Sequence, residues 1–342
     1  MSVPAPITIV GGGLAGLSLG IALCKGGVPA RILEAGDYPR HRVCGEFITG
    51  LDEATIDQLG IATAFAGADH HRSVTWFRHE RVIGRNFLPA PARAISRFTL
   101  DARLAELFTA AGGELVTHTR VATPTLEPGW VQTSGRRRDD ASPWLGLKLH
   151  ARQLATTDEL ELHLGTDAYV GLSAVEDGWI NVCGLFRRRP SLQFERDVAL
   201  PACLRASGLT LLAERIASAE IRPGSRSAVA GFVFDRPRAT EATVQLGDAY
   251  AMIPPFTGNG MAIAFTSAAL ALAPLIAWAH GEQSWGETCR VIREALVRKL
   301  RRRLTSAAWL HPVFLTRTGQ RFLSAAARAR LLPFQPIYQL LH

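Results

Sequence analysis

Ile7-Thr8-Ile9-Val10-Gly11-Gly12-Gly13-Leu14-Ala15-Gly16 runs from four β-branched residues, three of them apolar, into a glycine turn and then into a helical pattern. The turn satisfies G-x-G-x-x-G, and it sits between a strand and a helix, where that pattern has a physical purpose. Gly11 permits the tight turn, Gly13 lets the backbone approach a pyrophosphate, and Gly16 lets the helix lie close to the strand. The helix beginning at Leu14 and Ala15 offers unpaired N–H groups and partial positive charge to phosphates. Leu14 to Lys25 continues the helical spacing, and Ala30 to Leu33 gives a second strand that ends at Glu34-Ala35. Glu34 lies eighteen residues past Gly16, placed to accept hydrogen bonds from a ribose diol. Strand, helix and acid in register predict a bound dinucleotide.

Outward from this unit the pattern changes. Leu51 to Leu59 reads as a helix, Val74 to Phe77 and Val82 to Phe87 as strands, and Leu100, Leu104, Leu107 and Phe108 space a helix that ends at Gly112-Gly113. Glu114 to Thr117 is a short strand. Trp144 to His150, Leu160 to Leu164, Ala168 to Ser173 and Trp179 to Phe186 alternate as in an antiparallel sheet. Val244 to Leu246 returns to a short apolar strand before Gly247-Asp248-Ala249, and a long helix follows from about Gly258. The last fifty residues read as helices with breaks near His311-Pro312 and Leu332-Pro333.

The second turn, with Pro255, Gly258, Asn259, Gly260 and Met261 after Gly247 and Asp248, resembles the second flavin motif of FAD-dependent oxidoreductases of the p-hydroxybenzoate hydroxylase fold. The resemblance implies an Asp248 that binds the ribitol side of FAD and a helix whose N–H dipoles face the flavin. Within that fold, Pro255-Phe256-Thr257-Gly258-Asn259-Gly260-Met261 and Ser267 look most like the geranylgeranyl reductase and flavin-dependent halogenase branch. Arg40-His41-Arg42-Val43-Cys44-Gly45-Glu46 is similar to the Arg-x-x-Cys-Gly segment of the reductases, which adds Arg42, Cys44 and Gly45 to the cofactor residues. Arg97 and Asp101 resemble an Arg-x-x-x-Asp-x-x-Leu element whose Arg helps hold the cofactor.

Two departures matter. The middle Asp-Gly motif is replaced by Ser134-Gly135-Arg136-Arg137, and the halogenase Trp-x-Trp-x-Ile-Pro signature is absent, Glu176-Asp177-Gly178-Trp179-Ile180-Asn181 standing in the comparable region. Cys44, beside the flavin if the resemblance holds, and Glu46, two residues on, are the candidate proton donors. His41, His70, His71 and His79 have no Ser/Asp partners at a recognisable spacing, which gives a hydrolytic triad no support, and most of them read as surface residues. Trp76, Phe77, Trp144, Trp179 and Phe186 lie on predicted strands, where the default is core packing and the alternative an apolar pocket wall.

The expected architecture is α/β. A discontinuous Rossmann-like FAD-binding domain spans 1–70, 92–140 and 240–282, and an antiparallel substrate sheet is inserted at 71–91 and 141–239. A basic helical C-terminal extension covers 283–342. The reading is an FAD oxidoreductase of a hydrophobic organic substrate, isoprenoid- or polyketide-like, that reduces C=C bonds. The alternative is FAD-dependent hydroxylation or epoxidation, and the remote one a non-catalytic nucleotide-binding or membrane-associated scaffold. The electron donor is external, NAD(P)H or a reduced carrier protein.

Composition agrees with a globular enzyme. The chain of 342 residues is 47% hydrophobic and 20% charged, which excludes disorder and collagen. Cys24, Cys44, Cys183, Cys203 and Cys289 are widely spaced with no CxxC pair, so neither disulfides nor a metal site is expected. Nothing at the N-terminus marks export, which points to the cytoplasm. Met261 to Ala279 carries no charge but reads as a buried core helix. From Arg290 onward, eleven basic residues face one acidic one, Glu294, a balance of +10 within a net +8. Arg301-Arg302-Arg303 beside Ala307, Ala308, Trp309 and Leu310 suits peripheral membrane contact, or else a solvated helix face. No nucleic-acid module accompanies it.

Overall fold

The structure is a computed structural model and describes residues 3–122, 127–189, 192, 195–234, 242–329, 331 and 334–341. In chain order the strands are β1 (Ile7–Val10), β2 (Ala30–Leu33), β3 (Phe47–Ile48), β4 (Asp69–Arg78), β5 (Arg81–Ala94), β6 (Glu114–Val116), β7 (Trp130–Gln132), β8 (Trp144–Arg152), β9 (Leu160–Gly165), β10 (Ala168–Val175), β11 (Trp179–Arg187), β12 (Glu220–Ile221), β13 (Ser227–Ala230) and β14 (Val244–Gln245). The helices are α1 (Leu14–Lys25), α2 (Glu53–Leu59), α3 (Arg97–Ala110), α4 (Ala199–Ala206), α5 (Thr210–Ala217), α6 (Gly260–Ala279), α7 (Trp285–Leu315), α8 (Arg317–Arg328) and α9 (Phe334–Leu341).

Five parallel strands in the order β14-β7-β1-β2-β6 form the first sheet. One face is apolar: Ile7, Ile9, Ile32 and Val131 share it by register and are fully buried, whereas Thr8 and Arg31 on the other face are half-buried and exposed. Helices α1, α3 and α6 supply the cover, and α1 is buried along most of its length. Gly20 admits the Phe108 ring from α3, since a Cβ there would stand 2.7 Å from it.

The second sheet is mixed, in the order β12-β8-β11-β10-β9-β4-β5-β3, with β13 on β8. Among the described residues, β4 and β9 alone pair in parallel in this sheet. Alternation divides β8 cleanly: Leu147, Leu149 and Ala151 join a second core under α4 and α5, while Lys148 and His150 face the opposite way. That opposite face turns toward the first sheet and forms the site.

Several expectations shift. Strand β3 lies within the first nucleotide-binding segment yet pairs with β5, so the crossing between the sheets begins at Phe47. Helices α4 and α5 cap the outer face of the second sheet, where no helix was read from the sequence. The predicted break at His311-Pro312 does not occur, because α7 continues through Pro312 to Leu315. A proline removes one N–H and the helix stops three residues later, where Thr316 caps α8 by accepting from the Gly319 N–H. The expected break at Leu332-Pro333, the boundary at 239–240 and the terminal residue 342 lie outside the described residues. Helix α6 is long and apolar enough to cross a membrane, and 61% of its apolar window is buried inside the fold.

Candidate active site: a charged nucleotide cleft beside an apolar cavity

The first glycine turn is built from backbone. Gly11 has φ 106°, and a Cβ there would stand 2.5 Å from the Thr133 carbonyl oxygen at the end of β7. A Cβ at Gly16 would collide with the Gly11 carbonyl oxygen, whereas nothing lies within 4 Å of one at Gly13. Gly13 therefore faces open space. Helix α1 begins there with no side-chain cap and no acid in its first turn, and Leu14 and Ala15 are buried. Its first-turn N–H groups are therefore not capped by a side chain.

Glu34 closes one side. Its carboxylate accepts from the N–H groups of Gly12 (2.7 Å) and Gly36 (2.9 Å) and from Arg40 (2.6 Å), while neighbouring Ala35 is exposed. Burial works to raise its pKa, but the Gly36 N–H and the charges of Arg40 and Arg42 outweigh it and keep Glu34 ionised. Tyr38 donates its hydroxyl to the Gly12 carbonyl and covers this corner.

From Glu34 a chain of alternating charge leads inward. Arg42 donates to Asp101 (2.8 Å), and Arg97 holds the same carboxylate with two bonds of 2.6 and 2.8 Å. Arg97 and Asp101 thus form a bidentate pair one helical turn apart on α3. Asp248 faces Arg97, Arg136 and Arg42, and burial raises its pKa against their pull. Gly247 donates its N–H to Ser267 Oγ (2.9 Å), which ties the second turn to α6.

Glu46 is fully buried, and its backbone lies at φ 57°, a left-handed conformation uncommon for a residue with a side chain. Three donors hold it there: Lys148 (2.7 Å), His150 (2.6 Å) and the Arg97 N–H at the start of α3 (2.9 Å). Burial opposes its charge, yet Lys148 and His150 bring the pKa down to about 2. A carboxyl so held is ionised at neutral pH, which leaves it no proton to donate. Asn181 on β11 donates to the carbonyls of Cys44 (3.0 Å) and Gly45 (2.9 Å), fixing this loop to the sheet. Burial pushes the Cys44 thiol up, so it stays protonated. His41 is half-buried: it stacks on Phe98 at 4.6 Å, reaches Lys148 at 3.3 Å, and burial and that neighbouring charge lower its pKa to about 4. His71 is also buried, bonded to Ser173 at 3.0 Å.

The second turn faces apolar surroundings. Gly258 adopts φ 67°, and the Phe47 ring fills the place a Cβ would take. Pro255 opens a short turn of helix, Gly260 starts α6, and Met261 is buried. Asn259 is fully buried; its amide donates to the Leu341 carbonyl of α9 (2.5 Å), and its Oδ1 has no partner. Beside Phe256 and Thr257 opens a cavity of about 350 Å³. Its walls are β-sheet on one side (Val74, Trp76, Leu162) and α7, α8 and α9 on the other, the latter through Phe314, Leu323 and Ile337. Of the aromatic residues read from the strands, Trp76 lines it; Phe77 stacks on His163, and Phe186 joins the second core. The C-terminal region, which the sequence shows only as basic helices, is thus a wall of the cavity.

No family model matches the chain, and neither does any curated protein sequence. Solved structures do match. The p-nitrophenol 4-monooxygenase PnpA from Pseudomonas putida superposes with a TM-score of 0.73 over 99% of this chain and 99% of its own, at 14% identity. Klebsiella pneumoniae HpxO, solved with FAD and uric acid, gives 0.75 over 98% and 96%, at 15% identity. The flavin-dependent brominase Bmp2 gives 0.72 over 98% and 92%, at 18% identity. The chain has the fold of the FAD-dependent monooxygenases. The narrower resemblance to geranylgeranyl reductases rests on the sequence motifs alone.

The cleft of this FAD-monooxygenase fold suits the cofactor. Open space at Gly13, an uncapped helix terminus and a buried Arg42 Nη2 without a hydrogen bond, 4.0 Å from the Glu34 carboxylate, are what a pyrophosphate would satisfy. Tyr38, Arg40, Lys148, His150 and Asn181 also belong to the site and were not singled out from the sequence. Lys148 and His150 carry the one available signal, two polar residues at alternate positions of an otherwise apolar strand, Leu145 to Ala151.

Proposed function

We propose that this protein is an FAD-dependent monooxygenase acting on a hydrophobic organic molecule. The observation that carries the reading is two unlike regions in one fold: open space at Gly13 near the charged Glu34, Arg42 and Arg97, and an apolar cavity walled in part by Phe256 and Thr257. The fold shared with PnpA and HpxO supports it. FAD, when bound, supplies the electron-pair chemistry that activates dioxygen.

The chain's own residues divide the remaining work. Gly11, Gly13 and Gly16 with the N-terminus of α1 bind the pyrophosphate, and Glu34 accepts from the ribose. Arg42, Arg97 and Asp248 line the middle of the cleft. Gly258, Asn259 and Gly260 aim the N-terminal dipole of α6 at the far end, where negative charge is stabilised. Glu46 anchors Lys148 and His150 rather than transferring a proton. Val74, Trp76, Leu162 and Phe314 exclude water from the substrate, which favours a greasy ligand. The electron donor is NAD(P)H or a reduced carrier protein, and the missing Asp in Ser134-Gly135-Arg136-Arg137 argues for a nicotinamide bound differently from that of the hydroxylases.

A second reading, C=C reduction, is favoured by Cys44-Gly45 and the Pro255 to Met261 turn, with the protonated Cys44 thiol as donor. Incubation of reduced, FAD-loaded protein with an extract of its own cells separates the two. Monooxygenation gives a product carrying one ¹⁸O from ¹⁸O₂ and none without oxygen. A product gaining two hydrogens under anaerobic conditions, and diminished by Cys44→Ala, would establish reduction instead.

A further inference from the structure

A second cavity, of about 330 Å³, opens at the tip of the β4–β5 hairpin and is lined by Arg78, His79, Arg81, Ile83, Ser324 and Arg328. The hairpin turns through two residues at positive φ, His79 (43°) and Glu80 (67°), which places Arg78 and Arg81 directly opposite each other. Like charges facing across a hairpin repel. The end of α8 then brings Arg328 to the same place.

Among the described residues none of these three arginine side chains has an ion pair or a hydrogen bond, and Arg78 Nε is buried without a partner. The acid nearest in sequence does not help: Glu80 accepts from the Leu211 and Leu212 N–H groups at the start of α5. Arg85, a few residues along β5, is by contrast neutralised by Asp158 at 2.9 Å. Three converging cations with one buried donor left open describe an anion site that the chain itself does not fill. Ile83 borders both this cavity and the apolar one, so the two adjoin along β5.

We propose that the substrate is an amphiphile, with an apolar body in the cavity beside Trp76 and Phe256 and a carboxylate or phosphate head held by Arg78, Arg81 and Arg328. The inference rests on the apolar cavity being the substrate site. It explains why a hairpin carries two unpaired arginines face to face, and why α8 offers Leu323 to the apolar space and Arg328 to the charged one.

Titration calorimetry of the FAD-loaded, full-length protein with decanoate, decyl phosphate and decan-1-ol tests it. The anionic probes bind about tenfold or more tighter than the alcohol, as expected for charge-assisted contacts, and added salt narrows the gap. The tighter of the two anions identifies the head as carboxylate or phosphate. Arg81→Gln and Arg328→Gln each weaken anion binding by roughly tenfold and leave the alcohol unchanged, which also shows that the variants fold. Equal affinity for all three probes, or anion binding indifferent to both substitutions, overturns the head-group site alone. No binding of any probe to protein that retains FAD overturns the cavity reading as well.

Discussion

The glycine turn at Gly11–Gly16 and the buried cluster around Glu46 are made of different material. The turn is backbone: its geometry comes from six consecutive residues, and its chemistry from N–H groups at the start of α1. The cluster is side chains brought from afar, with Glu46 bonded to Lys148 and His150 more than a hundred residues away. One region is therefore sensitive to space and indifferent to charge, and the other is the reverse.

Substitutions sharpen this contrast. Gly16→Val forces a branched side chain against the Gly11 carbonyl and Thr133, and it is expected to lose FAD binding and about 4 kcal/mol or more of stability in chemical denaturation. Glu46→Gln keeps volume and removes only charge, leaving buried Lys148 without its counter-ion; about 3 kcal/mol is expected to be lost. A Glu46→Gln protein as stable as the parent would show that the two regions do not differ in kind.

A smaller effect belongs to acid. Burial lowers the pKa values of His41 and His311 to about 4 from an ordinary 6.5. Between these values the unfolded chain takes up protons that the folded one refuses, so stability is full above about pH 6.5 and falls as the pH drops toward 4. His311 sits among Phe234, Phe256 and Trp144, and His311→Phe is expected to flatten that decline in denaturation curves taken across the range. Glu46 adds a loss at lower pH, between about 4.5 and 2, because its folded pKa is depressed.

The same contrast explains what could be read in advance. The β1-α1-β2 unit, the acid at Glu34 and the second turn at Gly247–Gly260 were legible because strand, turn and helix signals are local and the glycines are required by backbone geometry. The alternating strands of the second sheet were legible for a similar reason. Lys148, His150 and Asn181 were not, since what they bind is set by sheet register between distant strands. His41 looked like a surface histidine because its burial depends on Phe98 and Lys148, neither near it in sequence. The role of α8 and α9 as a cavity wall was hidden because α8 reads as an arginine-bearing helix and α9 is a short apolar one, while Leu323, Ile337 and Leu341 line the cavity.

The central claim is that the two glycine turns hold opposite ends of one FAD. It is tested most directly by adding FAD to the purified full-length protein, removing the excess, and measuring bound flavin by absorbance. The account predicts one tightly held FAD per chain, lost in Gly16→Val. A parent protein that emerges colourless after such loading, though folded by circular dichroism, would contradict it.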